Sequence, residues 1–369
     1  MNIITTGILG FVLVLAISAA LIVGFTAATD TKFYLNWIGT FFMCATPFQI
    51  MMAVVWGHKV PVFVDKLAQP MKGIVLTGLF VLAGAIITPI LLFTVGQGVM
   101  SPILIHYVIQ SVGVSLLVMI VFGCWPINKL TTNTIVLGLG TLVYCYLLNF
   151  VLFKLFYDYS FMAGAPFYTE ALNPGGLFNG ITALTFAVTA VSMVMVLIMF
   201  EMWPVAKMVK SGKQPWFGIV GTVLLLLVSA IIYYLFVGVM GMEPMDFMVR
   251  GPVCIIFGAF LVDNMMQFFA TMKQPFKGVA KLLLCLIGAF VMYRLYEWAL
   301  PLFVGSELPA GPATGYAKEA WIGTAMLGVT FPVINIVSGA FDFWPIKREN
   351  VLSAHSYKRY ITKAPIKQS

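Results

Sequence analysis

Residues 200–207 read FEMWPVAK, and the pattern F-x-x-W-P-[I/V]-x-[K/R] occurs twice more, as FGCWPINK at 122–129 and FDFWPIKR at 341–348. The three tryptophans are 78 and 141 residues apart. These spacings are close to one and two periods of about seventy residues, the signature of a repeated structural unit. The pattern therefore predicts internal duplication.

A second marker supports the same period. The pattern Q-P-x-x-G occurs as QPMKG at 69–73, QPWFG at 214–218 and QPFKG at 274–278, each time at the start of an apolar block. The tetrapeptide WIGT at 37–40 returns at 321–324, which is 284 residues or four periods of 71 later. Two-helix units keep one orientation in a membrane, so the chain is predicted to be five tandem helical hairpins forming parallel repeats. Within a single transmembrane domain, 1–344, their approximate bounds are 1–68, 69–130, 131–211, 212–272 and 273–344.

The composition is that of a membrane protein. Apolar residues make up 61% of the chain and charged residues 9%, whereas charged residues are about 25% of an ordinary soluble domain. The apolar residues form ten blocks of roughly 20 residues, the length of a helix that spans a bilayer, so we predict an all-α polytopic membrane protein with ten transmembrane helices. No basic residue precedes the first block, which is interpreted as a retained helix and not as a secretory signal. The approximate blocks are 7–27, 35–57, 73–95, 104–124, 134–156, 178–202, 216–239, 251–271, 278–303 and 321–343.

Basic residues are divided unevenly between the two sets of loops. One side carries 16 of the 21 Lys and Arg residues, and the other carries 5 of them together with 8 of the 13 acids. Because basic loops remain in the cytoplasm, both termini are predicted to be cytoplasmic, and we expect an integral protein of a prokaryotic cytoplasmic membrane. The pI of 9.2 then reflects topology and attraction to membrane lipids, with no nucleic acid as a partner. Residues 345–369 are predicted to form a basic cytoplasmic tail.

The repeated tryptophans have a structural explanation. An indole ring suits the membrane interface, a proline after it ends the helix, and a cation beyond it faces lipid phosphates. Trp56, 69 residues before Trp125, also ends an apolar block and precedes a basic loop. The predicted interfacial anchors are therefore Trp56, Trp125, Trp203 and Trp344.

Acidic side chains inside the apolar blocks are the first functional candidates, because a charge at membrane depth is costly and faces a cavity or a partner. Glu201 and Asp342 both stand two residues before a motif tryptophan, and Asp263 lies at a comparable depth in the eighth block. If the hairpins form a ring, these acids converge near the cytoplasmic end of an axial cavity as a cation, proton or selectivity site. The alternative is that each acid pairs with a loop lysine at the interface. Neighbouring polar candidates are Asn264, Gln267 and Gln49.

Arg294 and Glu297 form a further candidate pair in the outer half of the ninth block. They are three residues apart and so share one face of the helix. A local ion pair that lowers the cost of both charges is one interpretation. An arginine that binds an anion or gates a path is the other.

No catalytic constellation accompanies these residues. The three histidines lack the pairing that haem needs, and no nucleotide-binding or nucleophile-elbow motif occurs, so neither a cofactor nor a metal is predicted. The five cysteines stand singly in apolar blocks, where buried thiols are expected. An enzyme is therefore disfavoured.

Two functions remain. The first is a channel or secondary transporter for a small solute or ion, with a path along the repeat axis. The second is a non-transporting subunit of a multiprotein complex that binds lipid, quinone or partner proteins. The long outer loop 157–178, whose Tyr, Phe and Gly-Pro content predicts a folded lid, and the basic tail are the expected partner surfaces.

Overall fold

The computed structural model describes residues 3–346 apart from 61, 166–167, 210–211, 266–268, 270–271 and 313–314, so the predicted tail lies outside the described residues from position 347 onward. Within this part of the chain, ten helices are long and apolar enough to cross a membrane. The prediction of ten spans is confirmed, and the protein is an integral membrane protein. The spans are α1 Thr5–Ala28, α2 Thr31–Val54, α3 Met71–Thr94, α4 Pro102–Val121, α5 Thr134–Phe156, α6 Gly180–Met199, α7 Trp216–Val239, α8 Pro244–Met265, α9 Phe276–Val304 and α10 Ala317–Ala340.

Helix α8 begins seven residues before the predicted block at 251. Glu243 caps it, because its carboxylate accepts a hydrogen bond from the backbone N–H of Asp246 at 2.9 Å. Arg250 then lies inside the helix and forms an ion pair with Asp246, four residues earlier, at 2.5 Å. The sequence interpretation placed Arg250 in a loop because charge was taken to mark the end of a span. The boundary was wrong because a local partner lowers the cost of the cation inside the helix.

The even-numbered helices form a closed inner ring. Helices α2, α4, α6, α8 and α10 pack in that order, and α10 contacts α2 to close the ring. Between 61% and 72% of the most apolar window of each even helix is buried, compared with 17% to 33% for the odd helices. The odd helices therefore form an outer layer that faces the lipid.

Each odd helix lies in a groove between two neighbouring ring helices. Helix α3 lies between α10 and α2, α5 between α2 and α4, α7 between α4 and α6, α9 between α6 and α8, and α1 between α8 and α10. Every groove of the ring thus holds one outer helix. Apolar residues on the opposite side of the outer helices, such as Phe93, Leu227 and Phe290, are exposed.

Glycines at the start of the outer helices allow this close packing. The glycine of each Q-P-x-x-G pattern lies directly on the phenylalanine that begins a tryptophan motif, and a Cβ at that position would overlap the ring. Small residues let helix backbones approach in a membrane, where packing drives helix association. The pairs are Gly73 with Phe341, Gly218 with Phe122 and Gly278 with Phe200.

The glutamine of the same pattern ties the two helices together. The Gln274 side-chain amide donates to the backbone carbonyl of Met199 at 3.1 Å, and its oxygen accepts from the backbone N–H of Gly278 at 3.0 Å. The side chain thereby satisfies a carbonyl at the end of α6 that has no partner within the helix. Equivalent bonds join Gln69 to Ala340 at 2.8 Å and Gln214 to Val121 at 2.9 Å.

Trp56 occupies the position of the motif phenylalanine and not that of the motif tryptophan. Its backbone N–H bonds to the carbonyl five residues earlier, as those of Phe122 and Phe341 do. Its ring packs on Gly138 of α5, and Nε1 donates to the Thr134 carbonyl at 3.0 Å. Sequence spacing placed Trp56 three residues out of register because one aromatic side chain replaces another at this contact.

The described part of the outer loop 157–178 is folded. Strand β1 (Tyr157–Asp158) pairs in parallel with β2 (Phe178–Asn179). The Asp158 carboxylate accepts hydrogen bonds from Ser160 and Asn173, and these bonds hold its pKa below the usual range. The fully buried Tyr159 hydroxyl lies 2.8 Å from Nδ1 of His106 in α4. Since that bond joins the loop to the ring, the loop is a fixed part of the outer face.

Candidate functional site

A small cavity lies on the axis of the inner ring. Its volume is about 30 Å³, and residues of all five ring helices line it. The lining residues are Met43, Thr46, Ile109, Val112, Gly113, Leu116, Val188, Val191, Ile256, Phe260, Leu327 and Phe331. Thr46 is the polar side chain in this set, and its hydroxyl donates to the Phe42 carbonyl of its own helix at 2.8 Å. The walls are therefore apolar.

Two aromatic rings narrow this cavity. The rings of Phe260 in α8 and Phe331 in α10 are perpendicular in an edge-to-face contact, with centroids 4.3 Å apart. Both residues are buried. Such a hydrophobic constriction excludes water and can close a path until the rings move.

Three side-chain amides lie next to the cavity. Asn264 of α8 donates to Asn335 of α10 at 3.1 Å, and Asn335 donates to Gln49 of α2 at 3.2 Å. Gln49 donates in turn to the backbone carbonyl of Pro332 at 3.0 Å. We call Gln49, Asn264 and Asn335 the amide triad. It offers both donors and acceptors without any net charge.

The amide triad lies about one helical turn from the cavity, toward the end of the ring that carries the tryptophan motifs. Each amide residue follows a cavity-lining residue by three or four positions on the same helix, and residues at that spacing share a face. The pairs are Thr46 with Gln49, Phe260 with Asn264, and Phe331 with Asn335. Asn264 and Asn335 are partly exposed, whereas Gln49 is 3% exposed.

Two ion pairs form a second structure at the same end. Lys277 and Lys281 are one turn apart on α9, about 6 Å along the axis. Lys277 binds Glu201 at 2.7 Å, and Lys281 binds Asp263 directly. We call these four residues the charge ladder. Glu201 and Asp263, which the sequence selected, are thus brought together, but each has its own lysine from the outer layer.

The deeper ion pair is also the more enclosed. The side chains of Lys281 and Asp263 are 12% and 17% exposed, whereas those of Lys277 and Glu201 are 15% and 38% exposed. Loss of one partner therefore leaves a more costly charge at the Asp263 level than at the Glu201 level. Each pair is electrically neutral as a unit.

The third predicted acid lies apart from the charge ladder. Asp342 is exposed just beyond the end of α10. Within the described ranges it forms none of the ladder's ion pairs. The expected meeting of three acids is therefore not seen, because Asp263 and Glu201 contact α9 while Asp342 precedes the exposed Trp344.

Arg294 and Glu297 form a local ion pair at the opposite end of the molecule. Glu297 accepts from Arg294 at 2.6 Å and from Lys318 at 2.6 Å. The Arg294 side chain is 64% exposed and lies on an outer helix. Arg250 lies nearby with its guanidinium 5.6 Å from the Tyr293 ring centroid. These contacts fit the local-pair interpretation of Arg294.

The remaining candidates are placed as follows. Gln267 lies outside the described residues. Trp125 and Trp203 are half-buried and Trp344 is exposed, each directly after the end of a ring helix. Trp56 is buried. Interfacial anchoring stays a prediction for all four tryptophans.

His58, in the loop between α2 and α3, was not selected from the sequence. Its ring packs on Gly339 of α10, and among the described residues Nδ1 has no hydrogen-bond partner. Burial, with a smaller effect of Lys72, lowers the pKa of His58 from 6.5 to about 4. The imidazole is therefore neutral in the folded protein at neutral pH.

Sequence analysis also missed Asn335, the central member of the amide triad. A signal for it was present. Residues 260–264 read FLVDN and residues 331–335 read FPVIN, exactly one period of 71 apart. The repeat of Phe and Asn four residues apart places the aromatic constriction and the amides on matching faces of α8 and α10.

All five cysteines are buried and unpaired, as expected. Within the described ranges, no group of three or more His, Cys, Asp and Glu residues is placed to hold a metal ion. No family model matches the chain, and no curated protein and no solved structure shows significant similarity to it.

Proposed function

We propose that this protein is a channel or secondary transporter for a small solute or ion, and that the path follows the axis of the inner ring. The supporting observation is that one cavity is lined by residues of all five ring helices. A cavity at the point where every ring helix converges is the usual place for a solute path in a helical membrane protein. The Phe260–Phe331 contact then represents a closed constriction on this path.

The proposal includes five tandem hairpins inserted in the same direction. Three outer helices start with the same glutamine bond and the same glycine–phenylalanine contact, and Trp56 with Gly138 supplies a fourth contact of this kind. Duplication of one two-helix unit explains these equivalent contacts. The motif end of the ring, which carries most of the basic residues, is the cytoplasmic side in this proposal, so both termini lie inside. A prokaryotic cytoplasmic membrane is the expected location.

The test is solute flux in proteoliposomes for the wild type and for Phe331→Ala. Removal of one ring of the constriction should increase flux severalfold, provided that the variant remains monodisperse, because a Phe→Ala change in a core costs about 3–5 kcal/mol of stability. Phe290→Ala is the matched control, since Phe290 is 68% exposed on the outer helix α9. Equal flux in all three proteins, at the level of empty liposomes, would contradict the proposal.

One observation favours a non-transporting subunit as a second candidate. The folded outer loop presents Phe161, Leu177 and Phe178 with exposures of 48%, 69% and 52%. Apolar side chains of this size on a loop outside the spans are typical of a surface that binds lipid, quinone or a partner protein. Stoichiometric co-purification of partners that is lost in Leu177→Ser, together with absence of flux, would favour this function over transport.

A further inference from the structure

The electrostatics of the axial path bear on the kind of solute that can use it. An ion that leaves water for an apolar cavity loses hydration worth many kcal/mol, and channels replace that hydration with rings of carbonyls or charged side chains. The cavity walls offer no such groups, because the lining residues are apolar apart from Thr46. The Thr46 hydroxyl proton is already used within α2.

The nearby charges do not change this balance. Glu201 and Asp263 are each paired with their own lysine, so the charge ladder adds no net charge near the cytoplasmic end of the axis. An unpaired carboxylate would attract a cation, but a carboxylate in direct contact with an ammonium group has its field largely cancelled at a distance. The polar groups next to the cavity are the neutral amides of the triad.

The size of the cavity sets a second limit. A volume of about 30 Å³ holds on the order of two water-sized molecules, since one such molecule needs about 10–15 Å³ of probe-occupied volume. The amide triad, one turn away, supplies a donor and an acceptor to a molecule that enters or leaves the cavity. Asn264 and Asn335 are partly exposed and are therefore accessible to it.

We infer that the transported solute is a small uncharged molecule that forms hydrogen bonds, and that the amide triad selects it at the cytoplasmic end of the axial cavity. This inference rests on the proposed transport function and narrows its substrate class. Ions are rejected because neither the apolar cavity nor the neutral triad repays their dehydration. Asn335 is the central specificity residue, because it bonds to both other members of the triad.

The experiment compares neutral solutes with ions in the same membranes. Proteoliposomes are tested for permeability to water, ammonia, formamide, urea and glycerol by stopped-flow, and planar bilayers with the protein are tested for current in potassium chloride. We expect permeability to at least one of the smaller neutral solutes well above that of empty liposomes, and no current. A selective ion current would overturn the inference while leaving transport intact. The absence of both flux and current would overturn the transport proposal and the inference with it.

Variants test the role of the amide triad. Asn335→Leu should lower the permeability to the transported solute roughly tenfold, the effect of losing about one hydrogen bond in a buried site. Thr222→Val is the control, because Thr222 bonds only within the outer helix α7, to the Gly218 carbonyl at 2.8 Å. A monodisperse Asn335→Leu protein with unchanged permeability and unchanged ranking of the solutes would show that the triad does not select the solute.

Discussion

Replacement of Lys281 by methionine tests the charge ladder. Methionine keeps the apolar length of the side chain and removes the ammonium group that binds Asp263. The carboxylate is then left with 17% exposure and without its partner. Lys277→Met is the matched control, because it makes the same change one turn away on α9, where the partner Glu201 is 38% exposed.

The two changes should differ clearly in cost. Removal of one partner of a buried ion pair costs about 3–5 kcal/mol, because the remaining charge has lost its compensation. An ion pair near the surface contributes only about 0.2–1 kcal/mol. Lys281→Met should therefore destabilise the protein several times more than Lys277→Met. The double variant Lys281→Met/Asp263→Asn should recover most of the loss, since no buried charge remains.

The assay is equilibrium unfolding by sodium dodecyl sulfate in mixed micelles, followed by tryptophan fluorescence. The free energies of unfolding of the four proteins form a double-mutant cycle, which isolates the energy of the Asp263–Lys281 pair. Equal losses in Lys281→Met and Lys277→Met, or no recovery in the double variant, would refute the assignment of the deeper pair as the enclosed one.

Three other changes test separate parts of the structure. Gln274→Leu should cost about 2–4 kcal/mol in the same unfolding assay, because it leaves two backbone groups, including the Met199 carbonyl, without a partner; a loss below that of a typical surface substitution would contradict the role of this bond. Because the folded pKa of His58 is lowered to about 4, its contribution to stability is complete above pH 6.5 and is lost as the pH falls toward 4. Between pH 7 and pH 5, wild type should lose about 2 kcal/mol more than His58→Gln, and parallel pH profiles would show that His58 is not buried. Asp263→Asn should lower flux while the amount of protein in the membrane stays unchanged, because this carboxylate fixes the end of α8 beside Asn264, and unchanged flux would remove Asp263 from the path.

The number of spans followed from composition, since blocks of apolar residues as long as a bilayer is thick have one simple interpretation. The start of α8 did not follow, because Glu243 and Asp246 with Arg250 look like a loop until their pairing within one helix is seen. The sequence also marked the contacts between helices, in the Q-P-x-x-G and tryptophan patterns. It did not show which helices those contacts join.

The candidate site was predictable only in part. Membrane depth selected Asp263 and Glu201, but the lysines that neutralise them lie on α9, and such pairing depends on which outer helix fills which groove. Asn335 carries no charge and was passed over, although the repeated Phe and Asn of α8 and α10 are visible in the text of the chain. A neutral polar residue becomes a candidate only when the cavity beside it is known.

The central claim is that a solute path follows the axis of the inner ring. Val191→Cys places a thiol in the cavity wall, whereas Val223→Cys places one on α7, where Val223 is 52% exposed to the lipid side. The five native cysteines are buried, and the wild type treated in the same way controls for them. The measurement is flux of the most permeant neutral solute before and after treatment with methyl methanethiosulfonate, a small uncharged thiol reagent. The ring-axis path predicts that modification stops flux in Val191→Cys and leaves it unchanged in Val223→Cys; complete modification of Val191→Cys with undiminished flux would contradict it.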